Sequence, residues 1–263
     1  MTQTTTASAT TTGLLEGKIA FITGAGRGIG AAAARLFAAE GASVMLAART
    51  EAQLEEVTEQ IRADGGTAEY VVCDQADPDT VRAAVNRTVE VWGRLDVAFN
   101  NGATIQPPGP LDGLPEADLD RIYDVNFKGV WLALAAEIAA IRATSKTGAI
   151  VNTSSIGSLQ GNPELPAYGA MKRALNSLTE SAAVTYGPEG IRVNTIAPGT
   201  TLTEMIDEWD AASPGTIDRL VSIAPLGRAA APAEIAEAAA WLLSDRASYV
   251  TGVTLRVDGG TGV

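Results

Sequence analysis

The chain contains no histidine and one cysteine, Cys73, among its 263 residues. Without an imidazole, proton transfer near neutral pH falls to Tyr, Lys, Asp, Glu, Cys or water. The absence also removes any His/Cys ligand cluster, so no metal is expected. A single thiol cannot close an internal disulfide. Flanked by Val71, Val72 and Asp74, Cys73 reads as a buried structural thiol, and the composition suits a cytoplasmic protein. Basic residues are scarce, with 19 Lys+Arg against 31 Asp+Glu and a net charge of −12. Such a surface repels phosphate backbones, which argues against nucleic acid as a partner. Any phosphate site must then be built locally, from backbone amides and one or two basic side chains. No apolar run approaches the roughly 20 residues a membrane span needs, so no membrane partner is expected. Met1 to Thr12 has no basic residue and no apolar stretch, which excludes a secretory signal. Residues 1–13 read as a disordered lead-in and residues 14–263 as one domain.

From there on, strand-like and helix-like runs alternate. Strands are predicted at Lys18–Thr23, Ser43–Ala48, Thr67–Val72, Leu95–Phe99, Ala149–Thr153, Ile191–Ile196 and Val253–Val257. Helices are predicted at Ala31–Glu40, Glu51–Ala63, Pro78–Trp92, Glu116–Ala143, Ala167–Tyr186 and Ala233–Leu243, with Asp77 capping the third and Pro78 in its first turn. The strands are apolar throughout rather than alternating, as in strands covered on both faces. The predicted architecture is α/β: a single Rossmann-like, doubly wound domain with a seven-stranded parallel sheet and helices on both faces, binding ligands beyond the carboxyl ends of the strands. Gly24, Asp74, Asn100, Ser155 and Pro198 all fall at those ends.

The first strand runs through Thr23-Gly24-Ala25-Gly26-Arg27-Gly28-Ile29-Gly30 into a helix. Gly24 permits a tight turn, Gly28 lets backbone approach a pyrophosphate, and Gly30 allows close packing of helix on strand. The helix N-terminus then offers free amides and a positive dipole end to phosphates. After the second strand, where an NAD-binding fold carries an acidic residue, this chain has Ala48 and Arg49. A guanidinium suits a 2′-phosphate, and Arg27 adds a second candidate contact, so NADP(H) is favoured over NAD(H). Asp74 suits the adenine amino group, or serves as a turn residue before the next helix.

Tyr168 and Lys172 stand four residues apart, on one face of a predicted helix. An unperturbed phenol titrates near ~10. An ammonium about 4 Å away contributes roughly 4 kcal/mol at an effective dielectric of about 20, on the order of three pK units before desolvation subtracts. The expectation is a phenol brought close to working pH.

Taken in order, the Thr23–Gly30 turn, Asn100-Asn101-Gly102-Ala103, Asn126, Ser155, Tyr168, Lys172, Pro198-Gly199 and the closing Val257-Asp258-Gly259-Gly260 resemble the short-chain dehydrogenase/reductase family from Leu15 to the end. Ser155 lies thirteen residues before Tyr168, the family's usual separation, with Ser154 its less favoured neighbour. The resemblance implies that Tyr168 is the general acid for carbonyl reduction or the base for alcohol oxidation. It implies that Lys172 bonds the nicotinamide ribose, that Ser155 orients the substrate oxygen, and that Asn126 holds a water linking Lys172 to solvent. It also implies cofactor contacts from Gly24, Gly26, Arg27, Gly28, Ile29, Gly30, Arg49, Asp74, Gln75, Asn101, Gly102, Tyr168, Lys172, Pro198, Gly199, Thr201 and Thr203. One departure stands out: the family usually reads Asn-Asn-Ala-Gly after strand four, and here the two small residues are exchanged, so the local turn is expected to differ.

A small carbonyl or alcohol substrate is expected between loops at Thr104–Leu114, Ile156–Pro166 and Gly199–Gly215. The last of these carries Leu202, Met205, Ile206 and Trp209. Trp131 to Ala136 is apolar nearly all round, as suits a helix covered by a partner, and the family's habit implies a homotetramer or homodimer. Two rivals remain: an NAD-dependent alcohol dehydrogenase of the same family, and a nucleotide-sensing protein without catalysis.

Overall fold

In the computed structural model, which describes residues 13–263, seven strands form one parallel sheet of order β3-β2-β1-β4-β5-β6-β7. The expected lead-in lies, up to residue 12, outside the described residues. The strands are β1 Ile19–Thr23, β2 Ser43–Ala48, β3 Thr67–Val72, β4 Val97–Asn100, β5 Gly148–Thr153, β6 Ile191–Pro198 and β7 Thr254–Val257. The helices are α1 Gly28–Ala39, α2 Glu51–Ala63, α3 Pro78–Trp92, α4 Glu116–Tyr123, α5 Gly129–Ala143, α6 Pro166–Tyr186, α7 Glu204–Ala212, α8 Thr216–Ser222 and α9 Pro232–Leu243. Chain order reverses between β1 and β4. That switch opens a crevice beyond the strands' carboxyl ends.

The apolar strand runs serve two cores at once. Ala20, Ile22, Val44, Leu46 and Phe99 pack with Phe37 of α1, Leu54 of α2 and Ile235 of α9 on one face. Their neighbours Phe21, Met45, Ala98 and Ile150 pack with Val81 of α3 and Leu134 and Ile138 of α5 on the other. Period-two alternation inside an apolar run is what a strand covered on both faces requires. Each large side chain buried this way contributes roughly 1.5–3 kcal/mol. The α3 start follows expectation: Asp77 accepts from the Asp79 amide at 2.9 Å, with Pro78 in the first turn.

Two expectations are corrected. The helix expected at Glu116–Ala143 is interrupted by a π-helical turn at Asp124–Lys128, centred on the fully buried Asn126. Such turns insert one residue and re-aim the side chains around it. The reason lies in Asn126, whose amide bonds both backbone groups of Thr104, accepting at 2.9 Å and donating at 2.7 Å. The loop expected at Gly199–Gly215 instead contains α7, and α8 follows it. Glu204 and Asp207 in the first turn of α7 complement its dipole.

A polar chain crosses the buried sheet. The Asn100 amide donates to Glu137 of α5 at 2.9 Å and to Asn152 at 3.0 Å. Asn152 donates to Thr179 of α6 at 2.9 Å, and the Thr195 hydroxyl meets that of Thr179 at 2.8 Å. Glu137 is fully buried, and burial pushes its carboxyl up to about 8 despite the Asn100 bond. The folded protein therefore keeps a proton that the unfolded chain releases near its ordinary value of 4.5. Stability supported by that proton is complete below about 4.5 and is lost as pH rises through about 8. Glu137→Gln removes the titration. Its stability relative to wild type should climb by on the order of a few kcal/mol between pH 5 and 9 in urea unfolding. A difference independent of pH would refute the neutral buried carboxyl.

Candidate active site

The crevice at the β1/β4 switch is a cavity of about 780 Å³. Its floor is the glycine turn. Gly24 has φ +65°, and a Cβ there would lie 2.7 Å from the Gly102 Cα, so the β1 and β4 turns touch backbone to backbone. A Cβ on Gly30 would enter the Gly24 carbonyl, which is why the helix lies so close to the strand. The Thr23 hydroxyl ties the two turns together, accepting from the amides of Asn101 and Gly102, each at 3.1 Å. Helix α1 begins at the cavity with no side-chain cap and no acidic residue in its first turn. Its first amides and dipole thus fit an anionic group.

Around this floor the cavity wall gathers Gly24, Gly26, Arg27, Gly28, Ile29, Arg49, Asp74, Gln75, Asn101, Gly102, Ser155, Tyr168, Lys172, Pro198, Gly199, Thr201 and Thr203. Two expected site residues are not in it. Gly30 supports the turn from beneath, and Asn126 lies under the wall with both ends of its amide held by Thr104. Arg49 is exposed at the rim, while Arg27 pairs with Glu208 of α7 at 3.0 Å. Asp74 lines the cavity and accepts from the Ala76 amide at 3.0 Å, as a turn residue before α3 does. Cys73 is buried at the end of β3, and burial pushes its thiol up to about 11.

The exchange of small residues after β4 has a packing cause. The Gln75 amide donates to the carbonyls of Gly102 at 2.9 Å and Val125 at 2.7 Å. Its oxygen occupies the space a Cβ on residue 102 would need. Gln75 is therefore a brace as well as a wall residue. Gly102→Ala should force Gln75 off both carbonyls and cost about 1–3 kcal/mol in urea unfolding. Wild-type stability in that variant would refute the packing explanation.

At the far end, β5 and α6 meet. Ser155 faces the cavity edge and accepts from the Gly157 amide at 3.1 Å. The hydroxyl of Ser154 is turned instead to the Lys172 carbonyl at 3.1 Å. Lys172 is 1% exposed, and its Nζ donates to the Thr153 carbonyl at 2.7 Å and lies 5.6 Å from the centre of the Tyr168 ring. Burial pulls this amine down to about 7. Burial likewise pushes the Tyr168 phenol up to about 12, with the Ser155 hydroxyl opposing. The expected lowering of the phenol by the ammonium is thus reversed. Both groups leave water together, and desolvation outweighs attraction to an amine that is itself driven toward neutrality.

Several functional-site residues gave no sequence signal. Thr153 acts through its carbonyl. Gln106 is buried at 1% exposure and accepts from the Tyr168 amide at 2.9 Å. Between the first two expected substrate loops, the Gly109 amide bonds the Glu164 carbonyl at 2.8 Å, and Glu164 pairs with Arg219 of α8 at 2.8 Å. Ile105, Leu165, Met205, Ile206, Trp209 and Ile223 give that end an apolar lining. No helix among the described residues is long and apolar enough to cross a membrane, and no His/Cys/Asp/Glu group among them could hold a metal ion.

A doubly wound parallel sheet with a glycine turn feeding an uncapped helix at its switch point defines a dinucleotide-binding α/β protein. A family described as enoyl-(acyl carrier protein) reductase matches residues 24–262. The chain is 48% identical over 248 residues to an A-factor type γ-butyrolactone 1′-reductase (1S-forming) of Streptomyces virginiae, covering 94% of this chain and 96% of the relative. It is 41% identical over 251 residues to a 2,5-dichloro-2,5-cyclohexadiene-1,4-diol dehydrogenase of Sphingobium indicum, covering 94% and 97%. Among solved structures, levodione reductase superposes with a TM-score of 0.90 at 32% identity, covering 94% of this chain and 98% of that one. A 3-ketoacyl-(acyl-carrier-protein) reductase of Brucella melitensis complexed with NADH superposes at 0.88 and 34% identity, covering 95% and 100%. The chain belongs to the short-chain dehydrogenase/reductase family. It is a nicotinamide-dependent oxidoreductase acting on CH–OH or C=O groups.

Proposed function

We propose that the protein is an NADP(H)-dependent ketoreductase with Tyr168 as its general acid, acting on a carbonyl carried beside a small ring. The observation that carries this reading is the convergence of Ser155, Tyr168 and Lys172 on the same cavity as the glycine turn and Arg49. Gly26, Gly28 and the α1 amides would hold a pyrophosphate, Arg49 and Arg27 a 2′-phosphate, and Lys172 a ribose hydroxyl. When bound, the cofactor supplies a hydride to the carbonyl carbon. Tyr168 gives its phenolic proton to the oxygen of that carbonyl, and Ser155 donates a hydrogen bond to the same oxygen as charge develops on it. The apolar side chains of the loop lining suit an apolar substituent. A ring-bearing substrate is supported by the 48% identity to a γ-butyrolactone reductase and by the ring compounds named for other relatives. Oxidation of a ring alcohol with NAD is the second reading. It is favoured by the dehydrogenases among the relatives and by the NADH complex of a structural neighbour.

A cytoplasmic homotetramer or homodimer belongs to the same proposal. The oligomer is supported by an aromatic ladder, Tyr123–Phe127–Trp131, with centroids 6.0 and 6.1 Å apart, in which Tyr123 and Trp131 are exposed.

Tyr168→Phe should keep cofactor affinity within about twofold and lower turnover of a 1′-keto-alkyl γ-butyrolactone by at least about a thousandfold, on the scale of losing a general acid and its charge stabilisation. Near-wild-type turnover would refute the assignment. Arg49→Ala should raise the NADPH dissociation constant about tenfold, the equivalent of ~1.4 kcal/mol, and leave that of NADH unchanged. Equal effects on the two cofactors, read by fluorescence titration, would favour the NAD reading.

A further inference from the structure

We infer that Gln106 is a positioning residue for the reaction: it caps the catalytic turn of α6 from a distant loop and so fixes the Tyr168 phenol against Ser155 and Lys172. The inference rests on the reading of Tyr168 as the proton donor.

The start of α6 lacks the usual local support. Leu165, at the N-cap position, makes no side-chain cap bond, and Pro166 has no amide to donate. The Gly169 amide reaches the Leu165 carbonyl at 2.9 Å, which closes the first turn and leaves the Tyr168 amide needing an acceptor from elsewhere. Gln106 supplies it at 2.9 Å, from 62 residues earlier in the chain. The bond fixes the orientation of the amide group, because only its oxygen can accept from an N–H. The Gln106 nitrogen is thereby left buried without a partner among the described residues. An apolar side chain of similar size would avoid that desolvation, so the acceptor oxygen is the feature that distinguishes glutamine here.

The loop bearing Gln106 is held on either side. Thr104 is clamped through both backbone groups by Asn126 of the π turn, and the Gly109 amide bonds the Glu164 carbonyl. Gln106 thus joins a rigid loop to the residue whose hydroxyl must meet a substrate oxygen. A helix turn left with a free amide at its third residue can rotate or fray. A small displacement of a reacting group is enough to lower the chemical step without altering cofactor binding.

The test compares Gln106→Leu, which removes the acceptor, with Gln106→Glu, which keeps it, using NADPH and a 1′-keto-alkyl γ-butyrolactone. Tyr168→Phe is measured alongside. Gln106→Leu should lower kcat ten- to fiftyfold, with KM and the NADPH dissociation constant within about threefold of wild type. Gln106→Glu should keep kcat within about fivefold and move the alkaline limb of the pH–rate profile upward, because a carboxylate beside the helix turn disfavours the phenolate. If Gln106→Leu does not accumulate as folded protein, Gln106→Met, which keeps an unbranched side chain without the acceptor, takes its place with the same expectation. Wild-type kcat in the acceptor-less variant, or equal losses in it and in Gln106→Glu, would overturn the inference. If Tyr168→Phe itself retains turnover, the underlying assignment of the proton donor fails instead.

Discussion

One buried amine constrains the working end of this molecule. Lys172 is almost wholly removed from water, and its ammonium donates to the carbonyl of Thr153, the last residue of β5. Burying an ammonium is unfavourable unless strong acceptors replace its hydration. The strand end and the helix face must therefore stay in register. Ser154 reinforces that register by donating to the Lys172 carbonyl. One turn further on, Asn176 donates to Ser158 at 2.9 Å. Tyr168 stands one turn before the amine, so the placement of the phenol is inherited from this contact. The same burial sets the local acid–base balance, with the amine drawn down and the phenol pushed up. Any positive charge brought into the cavity acts against the upward push on the phenol.

The rest of the site is organised by braces that reach across the sheet's carboxyl edge. Thr23 ties β1 to the turn after β4, Gln75 ties the turn after β3 to the same place, and Asn126 ties the π turn to Thr104. Beneath them runs the buried chain from Glu137 through Asn100, Asn152 and Thr179 to Thr195. Each side chain in it bonds the next, although Asn100 Oδ1 and Glu137 Oε1 are buried without a partner among the described residues. Their directional bonds hold the strand ends in a single arrangement that apolar packing alone would leave looser. The wall of the cavity is thus rigid at its glycine floor. Helices α7 and α8 border the cavity with Ile206 and Thr216 buried, and their ion pairs to the rest of the wall, Arg27 with Glu208 and Arg219 with Glu164, are exposed and weak in water.

Much of this was legible from residue order. Apolar strand runs, helical periodicity and the Gly24–Gly30 spacing led to the seven-stranded parallel sheet, with strand limits within two residues of those observed. The residues expected at the site lie around one cavity, apart from Gly30 and Asn126 beneath it. The π turn was not legible, because the bond that creates it joins Asn126 to a loop residue 22 positions away. Helices α7 and α8 were missed for another reason: Thr203 to Ser222 mixes acidic residues, apolar residues and a glycine without a clean stripe, and its helical state depends on what it packs against.

The linear order of residues by itself determined the alternation of elements, the all-apolar strands and hence the doubly wound sheet, since period and composition are local properties of the chain. It also determined which chemistry is available, by offering tyrosine and lysine at helical spacing and no histidine at all. Only the tertiary structure decided the balance of charge at the site and the identity of the braces. Desolvation depends on everything that surrounds a group in three dimensions, and the partners of Tyr168, Lys172 and Gly102 come from segments that meet only when the sheet closes over them.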